Sequence, residues 1–114
     1  MSAITTHVLD TARGAPAAGL RIELERMDAG GTWQAVGQGV TDVDGRQRSL
    51  MPASGSAPPG IYRLTFHSGP YFAGLDKPTF YPHVMVTFEV LQGEAHYHVP
   101  LLISPFGYST YRGT

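Results

Sequence analysis

LRIELERM, residues 20–27, alternates strictly as far as Glu25. Leu20, Ile22 and Leu24 fall on one side, and Arg21, Glu23 and Glu25 on the other. A period of two is that of a strand with one face in a core and the other in water. The pattern recurs along the chain. HVMVTFEVL (83–91) sets Val84, Val86, Phe88 and Val90 on one face, and IYRLTFH (61–67) groups Tyr62, Leu64 and Phe66. Turn signals separate the runs: Ala29-Gly30-Gly31, Asp44-Gly45, Gln92-Gly93 and the loop PASGSAPPG (52–60). The spacing predicts strands near 4–9, 20–27, 32–40, 46–50, 61–67, 83–91, 95–103 and 106–111, with one short helical turn in YFAGLDK (71–77). Seven to eight antiparallel strands in one domain spanning 1–114 make an all-β, two-sheet sandwich.

Composition narrows the function classes. Of 114 residues, 42% are apolar and 15% charged, which suits a folded domain with its own core. The net charge is −1 and no block of like charge occurs, so neither nucleic acid nor anionic lipid is an expected partner. The absence of cysteine excludes disulfides, thiolate metal sites and a thiol nucleophile. The opening MSAITTHVLDT has no basic region followed by a long apolar run, and no stretch approaches membrane-spanning length. The expected location is cytoplasmic.

Histidine is the informative residue. His96 and His98 lie two apart in AHYHVPLLI, so a strand presents both on one face and turns Tyr97 and Val99 to the other. Such a pair reads either as surface histidines or as a site that shares a proton. A metal would need further ligands, and no carboxylate or histidine cluster supplies them by spacing, so no metal is expected. In ITTHVLD, His7 shares a face with Thr5 and Leu9, and Ile4, Thr6 and Val8 share the opposite one; the neighbours leave open which is buried. Arg46 follows Asp44-Gly45, and Arg48 stands two positions on. Beside a turn, arginines are usually solvated. The alternative is a guanidinium fork that fixes a planar anionic or carbonyl-rich ligand. Ser104 and Ser109 sit in no nucleophile elbow and read as turn or edge hydroxyls.

Three segments carry a resemblance that spacing alone does not give. HVLDTARGAPAAGL (7–20), HYHVPLLISPFGYSTYRG (96–113) and the final Tyr111-Arg112-Gly113-Thr114 resemble the signatures of the 5-hydroxyisourate hydrolases, of the transthyretin-related family. TDVDGR (41–46) and YFAGLDKPTFYP (71–82) fit the same pattern in order. The resemblance implies a transthyretin-like fold and homotetramers built as dimers of dimers, with sites at subunit interfaces. It implies hydrolysis of 5-hydroxyisourate, the product of urate oxidation, to 2-oxo-4-hydroxy-4-carboxy-5-ureidoimidazoline, without a cofactor. Carried over by position, His7, His98 and Arg46 are the expected catalytic residues. Arg46 and Tyr111 are expected to bind substrate, with His96 in support. Thr114 departs from the serine usual at the end of the motif, and no catalytic role is assigned to it. Two further readings remain: a non-catalytic small-molecule carrier, as transthyretin itself is for thyroid hormone, and an immunoglobulin-like structural module.

Overall fold

The computed structural model describes residues 3–51, 57–92 and 96–114. Within them the elements run β1 (Ile4–Asp10), β2 (Ala15–Pro16), β3 (Arg21–Met27), β4 (Trp33–Val40), β5 (Arg46–Gln47), β6 (Gly60–Phe66), α1 (Ser68–Ala73), β7 (Val84–Val90), β8 (Tyr97–Ser104) and β9 (Gly107–Thr110). Part of the expected 52–60 loop, Gly93 of the 92–93 turn and the first residue of the 95–103 strand lie outside the described residues.

The alternation in 20–27 becomes β3 at the centre of a four-stranded antiparallel sheet ordered β4-β3-β6-β7. Ile22 and Leu24 are buried on its inner face, joined by Tyr62, Leu64 and Phe66 of β6 and by Val84 and Val90 of β7. The second sheet is ordered β2-β1-β8-β9, with β5 also paired to β1. It faces the first with Ile4 and Val8 of β1 and with Tyr97, Val99, Leu101 and Ile103 of β8. These apolar faces form one core cluster between the sheets, as a sandwich requires.

The two-sheet sandwich with one short helix stands as expected, with local differences. β1 and β8 pair in parallel, with Thr5 opposite His98 and His7 opposite Pro100. Hairpins force neighbours in sequence to run antiparallel. These two strands are separated by the whole first sheet, so no hairpin sets their direction. The expected strand 46–50 is only Arg46–Gln47, because the Gln47 side chain takes over the Ser49 N–H at 2.6 Å and bends the chain out of the ladder. The helix sits at Ser68–Ala73 rather than 71–77. Pro70 explains the shift: proline lacks an N–H and fits only a first helical turn, so the helix must begin before it.

Asp10 ties β1 to the helix. Its side chain is wholly buried, accepts the N–H groups of Ala12 and Arg13 at 3.1 Å each, and accepts the Tyr71 hydroxyl at 2.8 Å. Burial, and then the bond to Asp10, push the Tyr71 phenol above its ordinary value, so it remains a donor. The HVLDTARG segment therefore has a structural half, which holds the end of β1 in place, and a second half that faces outward.

Candidate active site

That outward half is fixed by the pleat of β1. Ile4, Thr6 and Val8 are 0% exposed, which settles the question the sequence left open and turns Thr5, His7 and Leu9 to the outer face of the second sheet. The Asp44-Gly45 turn then brings an arginine to His7. Gly45 adopts φ +76°, its carbonyl accepts the Val8 N–H at 2.7 Å, and a Cβ there would lie 2.4 Å from the Val8 carbonyl. Only glycine lets the turn press so closely on β1. The Asp42 carboxylate closes the turn by accepting the N–H groups of Arg46 at 3.0 Å and Asp44 at 2.9 Å. These bonds, and then the charges of Arg48 and Arg46, hold its carboxyl below the usual range. The outcome is a register in which Arg46 sits directly opposite His7.

His7 Nε2 lies 2.8 Å from the Asp44 carbonyl oxygen. A carbonyl can only accept, so Nε2 carries the hydrogen, and in the neutral ring Nδ1 is the bare nitrogen that can take a proton.

On β8, Tyr97 and Val99 are buried, and His96 and His98 face outward as the alternation predicts. The Thr5 Oγ1 stands between the two rings, 3.0 Å from His96 Nε2 and 2.8 Å from His98 Nδ1. A hydroxyl has one hydrogen, so it cannot donate to both, and at least one of these nitrogens must be an N–H donor. If Thr5 donates to His98, the far nitrogen of His98 carries the hydrogen. If His98 donates to Thr5, that far nitrogen is bare. Burial, then the positive charge of Arg46 and the neighbouring His96 and His7, lower the His98 pKa from its ordinary 6.5. His98 is thus held neutral at pH 7.

The tail completes the floor. β9 pairs with β8, and its register continues beyond the strand to a bridge between Gly113 and His98, where the Gly113 N–H donates to the His98 carbonyl at 2.8 Å. A Cβ on Gly113 would come within 2.7 Å of His98 Cδ2 and 3.1 Å of Pro100 Cγ. Arg112 places its guanidinium 4.5 Å over the Tyr97 ring.

These residues line one depression with two lobes. The larger, about 480 Å³, is walled by His7, Arg46, His98 and Tyr111, and the smaller, about 260 Å³, by Thr5, Arg48 and His96. Arg46, His98 and Thr114 belong to both. Of the residues singled out from sequence, His7, Arg46, His98 and Tyr111 therefore meet in the larger lobe, and His96 lies in the smaller. His67 is elsewhere, on the other sheet's side, 2.8 Å from the Glu23 carboxylate. Thr5 was not anticipated. Its only sequence signal is that it shares a face with His7, and its partners are more than 90 positions away. Among the described residues, no three histidine or carboxylate side chains cluster as metal ligands, and no helix is long and apolar enough to cross a membrane.

Comparison with known proteins bears on this geometry. The pattern of the HIUase/Transthyretin family matches residues 4–113. A 5-hydroxyisourate hydrolase of Deinococcus radiodurans is 47% identical, over 97% of this chain and 95% of its own length. The solved 5-hydroxyisourate hydrolase of Klebsiella pneumoniae superposes with a TM-score of 0.85 at 33% identity, covering 99% of this chain and 100% of the other. Sea bream transthyretin, solved in complex with thyroxine, superposes with a TM-score of 0.91 at 29% identity, over 98% of this chain and 95% of the other. With its strand order, its outward histidines and arginine, and its matching tail accounted for, the chain belongs to the HIUase/Transthyretin family.

Proposed function

We propose that this chain hydrolyses 5-hydroxyisourate, yielding 2-oxo-4-hydroxy-4-carboxy-5-ureidoimidazoline. The observation that carries the reading is the meeting of His7, Arg46, His98 and Tyr111 in one lobe, from three segments far apart in sequence. Identity of 47% over nearly the whole chain to a 5-hydroxyisourate hydrolase supports the enzyme over the carrier.

The chemistry suits the residues. Hydrolysis of a ring lactam adds water to the carbonyl carbon, passes charge to its oxygen, and then breaks the C–N bond with a proton delivered to nitrogen. The bare Nδ1 of neutral His7 takes the proton of the attacking water. Arg46, facing His7 across the ladder, hydrogen bonds the carbonyl oxygen as negative charge develops there. His98, neutral at the outset, receives that proton in turn and returns it to the departing nitrogen, and Thr5 and His96 behind it set which of its nitrogens bears the hydrogen. Tyr111, 60% exposed in the single chain, closes over the bound ring. No metal and no covalent intermediate enters this scheme.

The test is direct. Urate oxidase generates 5-hydroxyisourate in the cuvette, and its ultraviolet absorbance decays spontaneously. The protein is expected to accelerate that decay in proportion to its concentration. No acceleration, combined with saturable thyroxine binding, would establish the carrier instead.

The same reading includes a homotetramer made of two dimers, with the depression at a subunit interface. Its support is that β4, β7 and β9 each end a sheet and leave a row of backbone groups for another copy to pair. Light scattering should then give a mass of four 12.3 kDa chains, and a monomer mass would refute the assembly.

A further inference from the structure

The smaller lobe is chemically unlike the larger one. Arg46 and Arg48 both line it, with Thr5, His96 and the final residue Thr114 alongside, and no acidic side chain does. Neither guanidinium makes a hydrogen bond or ion pair with a described residue, in contrast to Arg21 and Arg63, which sit on Glu23 and Glu25. The Asp42 carboxylate feels the charge of both, and its Oδ1 is already engaged by the N–H groups of Asp44 and Arg46. The Thr5 hydroxyl is engaged by the two imidazoles. Two paired-donor forks with no carboxylate side chain bound to either therefore line a cavity of about 260 Å³, and one of them also borders the lobe that holds His7.

Ring opening creates the group such a lobe would take. Water oxygen bonds to the lactam carbonyl carbon, the C–N bond breaks, and nitrogen gains a proton. The carbon is left as a carboxylic acid, which gives up its own proton at neutral pH. A neutral carbonyl thus becomes a carboxylate at the atom that Arg46 touches.

We propose that the smaller lobe is a carboxylate subsite, in which Arg46 and Arg48 together hold the carboxylate formed on ring opening, with Arg48 as the residue that selects for it. The proposal rests on the hydrolase reading for its natural ligand. Its physical content is narrower: a flat, amide-rich ring bearing a carboxylate binds better here than the same ring without one. The sequence had raised a guanidinium fork for Arg46 and Arg48, and the lobe is where both reach.

Orotate and uracil supply that comparison, since orotate is uracil with a ring carboxylate. Calorimetric titration into the full-length protein reads binding, so it answers even if the absorbance assay finds no hydrolysis. Orotate is expected to bind at least about tenfold tighter than uracil, the scale of one charge-assisted bidentate contact. Arg48→Gln should remove about tenfold of the orotate affinity and leave uracil binding as it was. Arg48→Lys, which keeps the charge without the fork, should fall between. Arg48 is exposed and outside the core, so an unchanged Tm accompanies these variants. Orotate binding no tighter than uracil, or Arg48→Gln binding orotate as well as the parent does, overturns the subsite.

Discussion

His98→Ala is expected to lower kcat for 5-hydroxyisourate by about 10²–10⁴-fold, the usual worth of a general acid or base, with the sandwich still folded. His98 lies on the outer face of its sheet and contributes nothing to the core cluster. Its loss leaves the Thr5 hydroxyl still bonded to His96 at 3.0 Å, so no buried polar group is orphaned. His7→Ala should fall in the same range, because it removes the nitrogen proposed to accept the water proton. His67→Ala is the control: that ring pairs with Glu23 away from the depression, and turnover should not change. Near-parental kcat in both His7→Ala and His98→Ala would remove the acid–base assignment. The pH profile gives an independent reading. The scheme uses neutral His98, and its pKa is lowered from 6.5, so the acid limb of kcat/KM should lie below pH 6.5. Stability follows with the same sign. Between the lowered pKa and 6.5 the unfolded chain binds the extra proton, so stability falls as pH drops through that window. An acid limb that follows His98 but is centred above 6.5 would contradict the environment described for that ring.

Gly113→Ala should behave as a lesion of His98, although it leaves every proposed catalytic side chain intact. The new methyl would sit 2.7 Å from His98 Cδ2, closer than carbon atoms approach, and 3.1 Å from Pro100 Cγ. The imidazole or the tail must move. A misplacement of about 1 Å at a catalytic group can cost on the order of 10² in rate. The expected outcome is therefore about a hundredfold loss of kcat with a Tm within a few degrees of the parent. Removal of residues 111–114 should lower activity further while still costing activity more than stability, since Tyr111 and Arg112 are exposed and the tail adds little to the core. Full-rate hydrolysis by the truncated chain would leave the tail without a part in catalysis.

Alternation made the strands legible, and with them the outward placement of His96 and His98, because side-chain direction in a strand is local. The face of His7 was not legible: Thr5 and Thr6 are equally polar, and only the packing of Ile4 and Val8 against the other sheet decides between them. The parallel pairing was also hidden. It is a relation between strands about 90 positions apart, and Thr5 acquires its role only through the register that sets it opposite His98. The short β5 escaped for a different reason. A glutamine side chain that competes for a backbone N–H leaves no trace in hydrophobic period. The tail was recognised by resemblance, and its reason became physical only when Gly113 was found against the His98 ring.

The parallel pair has a consequence for the order in which the molecule becomes itself. The sheet β4-β3-β6-β7 is built wholly from Arg21–Val90, by pairings that span at most 44 positions, as between Ile22 and Phe66. The sheet that bears the depression cannot be laid down until β8 reaches β1, a closure over almost the full length of the chain and hence slow to form. During synthesis, a nascent chain can therefore own half of its architecture and none of its chemistry. His7 leaves the ribosome early and waits for His98.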